Sequence, residues 1–299
     1  MTKKRTFSKL YASEQRYGYL MISPVVFGFC ALLLFPLLYE VWMSLTDMEL
    51  TSSGTFIGLQ NYFALFEDSK YLDSMRNTLF FTLGVVPINI ILAIILAQML
   101  NQKLRGVGLY RTLIFLPYIT PVVVWAQVWK LILSGDTGIL NSFLSFFGIA
   151  GRNWLFDMEM TMPVVIGNVI LKGVGYNMVI FLSAMMSVPT SYYEAAELDG
   201  ANTVHRFLHV TLPMISPTTF MVVIMTIIGA FKSFANIYNL TSGGPARATQ
   251  IIILFIYQKA FREFKFGYAA AASIVLFVLI LILTIIQWSM RRRLIYAEE

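Results

Sequence analysis

A polar segment at residues 192–213, YYEAAELDGANTVHRFLHVTLP, holds residue types that could do chemistry, between two long apolar stretches. It contains both histidines of the chain, His205 and His209, whose spacing of four residues would place them on one face of a helix. A pair of histidines needs further ligands nearby to hold a metal ion. No Cys/His cluster in the sequence has such spacing, so we predict solvated histidines and no metal site.

No other part of the sequence has the pattern of an active site. There is no G-x-x-x-x-G-K-[ST] motif, so the chain cannot hold a nucleotide phosphate in a P-loop. No Ser/His/Asp arrangement indicates hydrolysis, and no pair of acidic residues falls within an apolar stretch. We therefore predict no catalytic residue, no enzyme activity in this chain and no cofactor bound by it.

The composition is that of a membrane protein. Of the 299 residues, 58% are hydrophobic and 13% are charged, with a mean hydropathy of +0.71. A soluble domain has about 25% charged residues, so this chain has too little polar surface to cover a water-soluble fold. The net charge of +6 is explained by a topological bias of Lys and Arg without nucleic acid. The single cysteine, Cys30, lies in an apolar run and is predicted to be a packed thiol.

Six apolar stretches reach the length of about 20 residues that crosses a bilayer as a helix. They are residues 19–46, 75–100, 109–134, 161–188, 213–238 and 268–290. Residues 250–261 are apolar but too short to span, so we predict an interfacial or re-entrant segment there. The expected fold is all-α and polytopic, with a six-helix domain at 19–290 between tails at 1–18 and 291–299.

The basic residues near the helix ends indicate orientation, since cytoplasmic loops carry an excess of Lys and Arg. Three regions share this excess: Lys3, Lys4, Arg5, Lys9 and Arg16; Lys103, Arg105 and Arg111; and Arg291, Arg292 and Arg293. The loops at 47–74 and 135–160 are acidic, whereas the last outer loop is basic and opposes the trend. We predict that both termini and residues 189–212 are cytoplasmic.

Several residues inside the spans are unusual for a lipid environment. Six prolines fall there: Pro24, Pro36, Pro87, Pro117, Pro121 and Pro217. The pair in LPYITP should distort the third span, either as curvature for packing or as a broken helix beside a solute path. Lys172, near the middle of the fourth span, would cost about 2.5–3.5 kcal/mol to insert and is expected to face a water-filled cavity. Lys130 and Lys232 lie nearer span ends, where snorkelling explains them.

Polar and aromatic residues recur on the fourth and fifth spans. Asn168, Lys172 and Tyr176 have helical spacing on the fourth span, and FKSFANIYN ends the fifth. Amides and hydroxyls beside aromatic rings suit a neutral polyhydroxylated ligand. Interhelical hydrogen bonding with an aromatic belt is the alternative, and composition alone favours it.

Residues 189–212, called the elbow below, have the pattern of two short helices. Pro189 ends the fourth span, and Thr190 or Ser191 could cap a helix with Glu194 in its first turn. Gly200 should break that helix. Three apolar residues then mark one face of a second helix, which Pro213 should close: Val204, Phe207 and Leu208. The acidic residues against Arg206 favour a basic protein partner over anionic lipid.

The spacing within the elbow carries a family resemblance. Glu194-Ala195-Ala196, three residues, Gly200, nine residues and Val210-Thr211-Leu212-Pro213 resemble the EAA loop (EAA-x3-G-x9-I-x-LP) of ABC importer permeases, with Val210 in place of Ile. Other segments resemble the sugar-importer (MalF/UgpA-like, binding-protein-dependent) members: FIGLQNY (56–62), LRGVGLYRTLIFLPYITPVVV (104–124), NLTSGGPARAT (239–249) and FGYAAAASIVLF (266–277).

The resemblance covers nearly the whole chain and implies a type I (MetI-like) permease fold in a bacterial inner membrane. It implies a second homologous permease, a cytoplasmic ATPase dimer that binds ATP and Mg, and an extracytoplasmic solute-binding protein for which residues 241–249 are a candidate docking loop. The implied ATPase-coupling residues are Glu194, Ala195, Ala196, Asp199, Gly200, Val204, Phe207, Leu208, Leu212 and Pro213. The implied substrate contacts are Lys172, Tyr176, Asn177, Ser233 and Asn236.

The resulting hypothesis is a permease subunit that forms half of the pathway for an oligosaccharide or another sugar. Glycerol-3-phosphate or a glycerophosphodiester is the alternative cargo, since an anion would suit Lys172 and Lys232. A secondary transporter is the alternative class, but it needs coupling carboxylates in the spans, and Glu40 is the only candidate. A membrane-embedded enzyme lacks site residues.

Overall fold

The computed structural model describes residues 3–102, 106–135 and 138–294, with side chains described for those from 14 to 289. In these residues regular structure is helical, apart from isolated β-bridges. The helices are, in chain order, α1 (Lys3–Phe29), α2 (Phe35–Ser44), α3 (Gln60–Glu67), α4 (Ser69–Leu100), α5 (Val107–Ile119), α6 (Val122–Ile132), α7 (Ile139–Phe146), α8 (Thr161–Met186), α9 (Thr190–Leu198), α10 (Thr203–Arg206), α11 (Leu212–Met214), α12 (Ser216–Phe231), α13 (Phe234–Leu240), α14 (Ile252–Phe261) and α15 (Phe266–Leu294). Two π-helical turns, Cys30–Leu34 and Phe207–Thr211, continue α1 into α2 and α10 into α11.

Long apolar helices account for the predicted spans. In the described residues four are long and apolar enough to cross a membrane: Glu14–Ser44, Ser69–Leu100, Thr161–Met186 and Phe266–Ser289. Two bent pairs make the total six if each is one span: α5 with α6, and Thr203–Met214 with α12. The all-α fold with up to six spans therefore agrees with the sequence-based prediction.

The third predicted span is more than distorted. α5 and α6 meet at an angle of 99°, so residues 109–134 do not form one continuous helix. Thr120 has extended backbone angles (φ −64°, ψ 130°), as expected for a residue that precedes proline. Pro121 lacks the N–H that would continue the helix. Residues 117–121 form what we call the corner.

The fifth predicted span, 213–238, also differs from a single helix. A bend of 68° precedes α12, and Ile215 lies at the junction. Pro217 falls in the first turn of α12, where a missing N–H is tolerated. A second break at Lys232 and Ser233 separates α12 from α13. Hydropathy averaged over the length of a span could not locate these interruptions, because the apolar composition continues through them.

The chain divides into two compact units, of which the first comprises residues up to Leu65 with Lys259–Ile274. Asn61, in the FIGLQNY segment, is buried, and its Nδ2 donates to the carbonyl oxygens of Ser44 (2.9 Å) and Thr46 (2.8 Å). A Cβ at Gly267 would lie 2.0 Å from the Thr46 carbonyl oxygen, so this position needs glycine. These two motif segments therefore hold the chain that follows α2.

Two further features of the first unit concern single side chains. The Thr55 backbone N–H donates to the Asp47 carboxylate and lowers the pKa of that carboxyl from its ordinary value. Cys30 is exposed in this chain, so the prediction of a packed thiol is wrong. The reason is that the most apolar 18 residues of the helix Glu14–Ser44 have no buried member inside this chain.

The second unit, Phe66–Gln258 with the chain from Val275 onward, contains the main core. α4 packs along α8 and α12, α5 packs on α8, and α6 packs on α13. The predicted interfacial segment is helix α14, whose first residues, including Ile252 and Phe255, are buried. The rings of Phe255 and Tyr71 meet edge-on with 5.7 Å between their centroids, so the first half of α14 belongs to the core.

The side chains on which the predicted orientation depends lie largely outside the described part of the chain. They are those of Lys3, Lys4, Arg5, Lys9, Lys103, Arg105, Arg291, Arg292 and Arg293. The predicted tail at 1–18 is not separate in secondary structure, since α1 begins at Lys3 and runs through it.

Candidate functional site

The elbow forms two helical arms, as its pattern predicts. α9 ends at Leu198, and Gly200 follows with φ +78°, a conformation that glycine adopts at little cost. Asn202 then caps α10, its side-chain oxygen accepting from the backbone N–H of His205 at 2.8 Å. Sequence analysis missed this cap, although asparagine is one of the residues preferred at the N-cap of a helix.

Three details of the predicted elbow are wrong. Pro189, with no side-chain cap bond, precedes α9, so neither Thr190 nor Ser191 caps it, and Glu194 lies beyond the first turn. Pro213 does not close the second arm, which continues to Met214. The wider π-helical turn at Phe207–Thr211 accommodates the proline that follows it.

Side-chain bonds tie the two arms together. The Arg206 guanidinium donates to the Glu197 carboxylate at 3.1 Å. The Tyr193 hydroxyl and the hydroxyl of buried Thr211 are 3.0 Å apart. These bonds join the two arms of the elbow.

The predicted coupling residues differ in exposure. The exposed ones are Glu194, Ala195, Asp199, Gly200, Val204, Leu208 and Leu212, and the half-buried ones are Ala196, Phe207 and Pro213. Phe207 is half-buried and packs against the main core, whereas Val204 and Leu208 are exposed. A contact between this apolar face and the ATPase stays a prediction. Leu198, which was missed, is 90% exposed at the tip of α9.

Lys172 points at the corner. Its Nζ donates to the carbonyl oxygens of Thr120 (2.5 Å), Pro117 (2.9 Å) and Tyr118 (3.5 Å). The ammonium also lies 5.6 Å from the centre of the Trp125 ring. The Trp125 indole N–H donates in turn to the Asn168 side-chain oxygen at 3.1 Å. Through Lys172 and Asn168, α8 therefore contacts both α5 and α6, the two helices that meet at the corner.

A stacked tyrosine pair lies beside these bonds. The rings of Tyr118 and Tyr176 are 4.5 Å apart between centroids and nearly parallel, at 16°. Both remain about two-fifths exposed, at 42% and 41%. Tyr118 was missed by sequence analysis, although its place between two prolines in LPYITP was a signal. The pair offers a flat aromatic surface in the bundle.

Asn177 has a different environment. Its side chain is buried, and its Nδ2 donates to Asn89 Oδ1 at 2.7 Å and to Thr226 Oγ1 at 3.2 Å. These bonds join α8 to α4 and α12, which is the interhelical arrangement that composition favoured. Contact between Asn177 and a substrate stays a prediction.

Ser233 and Asn236 lie at the break between α12 and α13. Ser233 precedes α13, which packs on α6 just past the corner. The Asn236 Oδ1 atom is buried and has no hydrogen-bond partner among the described residues. An unpartnered buried amide oxygen is costly unless a ligand or water donates to it. Lys232, by contrast, is exposed.

The candidate docking loop at 241–249 is a closed turn. The hydroxyls of Thr241 and Thr249 are 2.7 Å apart, and the latter also donates to the Gly244 carbonyl oxygen at 2.7 Å. Asn77 of α4 donates its amide to the carbonyl oxygens of Arg247 (3.0 Å) and Gln250 (3.1 Å). The loop is therefore fixed to the bundle.

The chain thus combines broken apolar helices, which contain polar and aromatic residues, with an exposed two-arm elbow. Residues 89–296 match the model of the family described as "Binding-protein-dependent transport system inner membrane component". The chain belongs to this family, so it is a membrane-embedded transport component. The predicted family and fold are thereby confirmed.

Relatives match over most of the chain. The probable ABC transporter permease protein YesP of Bacillus subtilis is 34% identical, over 96% of this chain and 92% of its own length. The lactose transport system permease protein LacF of Rhizobium radiobacter is 35% identical, over 93% and 96%. The sn-glycerol-3-phosphate transport system permease protein UgpA of Yersinia pestis is 35% identical, over 90% and 92%.

Solved structures share the fold. A chain of a bacterial alginate ABC transporter, crystallised with a periplasmic protein bound to an alginate pentasaccharide, superposes with a TM-score of 0.85. It is 24% identical and covers 96% of this chain and 98% of its own. A second structure, of a bacterial ABC transporter that imports the acidic polysaccharide alginate, is 25% identical with the same TM-score, over 95% and 99%.

Proposed function

We propose that the chain is one of two permease subunits of an ATP-driven importer for an oligosaccharide or related sugar. The observation that carries this proposal is the exposed elbow, whose two arms are joined by side-chain bonds, in a family of binding-protein-dependent permeases. The chain has no P-loop, so in this proposal a partner ATPase dimer, which would bind ATP and Mg, supplies the energy. The second permease would complete the pathway.

In this proposal the elbow lies on the cytoplasmic side with both chain termini, in a bacterial inner membrane. The exposed coupling residues, together with Leu198, would sit in a cleft of the ATPase. ATP binding would close the ATPase dimer, push the elbows of the two permeases together and change the bundle from inward-open to outward-open. Alternating access of this kind requires partners that bind the two states differently. The solute-binding protein would dock on the opposite side, at residues 241–249.

Substrate would contact the pathway at the corner and at the break before α13. The Tyr118–Tyr176 pair offers apolar ring faces for a sugar, and Asn236 and Ser233 offer polar groups. The lactose permease among the relatives supports a sugar cargo. Glycerol-3-phosphate stays as the alternative because a relative of equal identity is named for it. That alternative is weakened by Lys172, whose ammonium donates to backbone carbonyl oxygens in this structure.

A cargo test uses the purified complex of both permeases and the ATPase in nanodiscs, with its solute-binding protein. Neutral oligosaccharides, a uronate oligosaccharide and glycerol-3-phosphate are added in turn, and ATP hydrolysis is measured. We expect a saccharide to give the largest stimulation. Stimulation by glycerol-3-phosphate alone would contradict the proposed cargo.

The tyrosine pair gives a residue-level prediction. Tyr118→Ala and Tyr176→Ala should each lower saccharide uptake about tenfold, since losing a stacking surface worth about 1.4 kcal/mol changes binding tenfold. Tyr118→Phe should keep uptake within about twofold because it keeps the ring. The matched control is Tyr110→Ala, which removes an exposed tyrosine from the same helix α5. Equal uptake by Tyr110→Ala and Tyr118→Ala would rule out the stacking role.

A further inference from the structure

The carbonyl oxygens of the corner lack the donors that a continuous helix would give them. In an α-helix the carbonyl of Pro117 would accept from the N–H of residue 121, but residue 121 is proline. The carbonyl of Tyr118 would accept from Val122, but the chain turns by 99° before that residue. At membrane depth, backbone that leaves the helix is tolerated only where the protein or a water-filled cavity supplies its missing hydrogen bonds.

Lys172 supplies these missing donors. Its ammonium has three N–H groups, and the carbonyl oxygens of Pro117, Tyr118 and Thr120 all lie within 3.5 Å of Nζ. The C-terminal end of a helix carries a partial negative charge, so a cation at the end of α5 is also favoured electrostatically. The charge of Lys172 is thus engaged by the protein's own backbone.

The contact between Lys172 and the corner also determines where the two tyrosine rings lie. Tyr118 lies in the corner, and Tyr176 lies one helical turn after Lys172 on α8. Asn168, one turn before Lys172, holds Trp125 on the far side of the corner. The position of Tyr118 relative to Tyr176 therefore depends on the bond between Lys172 and the corner.

We propose that Lys172 is a positioning residue that replaces the donor missing at Pro121 and holds the corner, with Tyr118, against α8. It acts on the cargo through the Tyr118–Tyr176 pair and is not a counter-ion for an anionic cargo. Its effect on transport rests on the proposed function, whereas its effect on the corner does not.

The test measures the corner directly by cross-linking. Cys30→Ser removes the native cysteine, and Tyr118→Cys with Tyr176→Cys places a pair across the contact. In the membrane-embedded complex, a short bis-thiosulfonate reagent should link the pair rapidly. Lys172→Met should slow that reaction about fivefold or more, and Lys172→Arg, which keeps the charge and donors, should restore it to within about twofold. Lys70→Met is the matched control, because it removes an exposed lysine near the start of α4, and should leave the cross-linking rate unchanged.

The outcomes separate the two roles of Lys172. An unchanged cross-linking rate in Lys172→Met would overturn the positioning role whatever the cargo. A Lys172→Met permease that keeps both tyrosines gives a second outcome. Full uptake of a neutral saccharide by this variant, with loss of uptake only for charged cargo, would also overturn the positioning role and make Lys172 a counter-ion. If Lys172→Met is not recovered as a complex, Lys172→Gln against Lys172→Arg gives the same comparison. Slowed cross-linking in a complex that no saccharide stimulates would leave the positioning role standing and reject the proposed cargo.

Discussion

Gly200→Val is expected to reduce ATP-driven uptake more than about tenfold while leaving the amount of permease in the membrane unchanged. Gly200 has φ +78°, and a β-branched residue held there costs about 1–3 kcal/mol. We expect the chain to relieve that strain by changing the angle between the arms of the elbow, which the Glu197–Arg206 pair joins. No atom lies within 4 Å of a Cβ built at Gly200, so a packing clash is not the cause.

The matched control is Gly148→Val. Gly148 has a similar φ of +71°, has open space around its Cβ position and lies in an exposed loop after α7. It carries the same backbone penalty away from the elbow, so uptake should stay within about twofold. Uptake and binding-protein-stimulated ATP hydrolysis in proteoliposomes measure both variants. Gly200→Val with more than half of native uptake would show that the elbow angle does not couple the subunits.

Gly175→Ala is expected to destabilise the bundle by about 3 kcal/mol. A Cβ at Gly175 would lie 2.1 Å from the carbonyl oxygen of Ile114, so α5 and α8 contact each other backbone to backbone here. Backbone cannot rotate away as a side chain can, and α5 would have to move off α8 together with the corner. Unfolding in mixed micelles, followed by the loss of helical circular dichroism as denaturing detergent is added, measures the effect.

Gly167→Ala controls for the change in helix propensity. It lies on the same helix α8, and no atom lies within 4 Å of its Cβ position, so it should be neutral or slightly stabilising. Identical unfolding midpoints for Gly167→Ala and Gly175→Ala would contradict the close approach of α5 to α8.

Sequence reasoning located the spans because hydropathy is a local property that needs no tertiary contact. It also predicted the helix break at Gly200, because a positive φ depends on the residue type at that position and not on a tertiary contact. It predicted that LPYITP distorts a helix but not that the distortion is a 99° corner. The corner depends on Lys172, which is 55 residues from Pro117 in the chain, and no local pattern shows that contact.

The exposure of the second arm depends on packing that the sequence does not show. Val204 and Leu208 are exposed, whereas Phe207 between them packs against the main core. The polar residues of the fourth span were correctly singled out as unusual. Whether each meets a neighbouring helix or the pathway depends on packing: Asn177 meets Asn89, whereas Tyr176 stays half exposed beside Tyr118.

The central claim is that this chain transports a sugar only when a partner hydrolyses ATP. The most direct measurement is uptake of a labelled saccharide into proteoliposomes that contain both permeases and the ATPase, with the solute-binding protein outside and ATP inside. We predict that uptake requires ATP and the binding protein and stops when ATP is replaced by a non-hydrolysable analogue. Saccharide uptake driven by a proton or sodium gradient in liposomes without the ATPase would contradict the account and identify a secondary transporter.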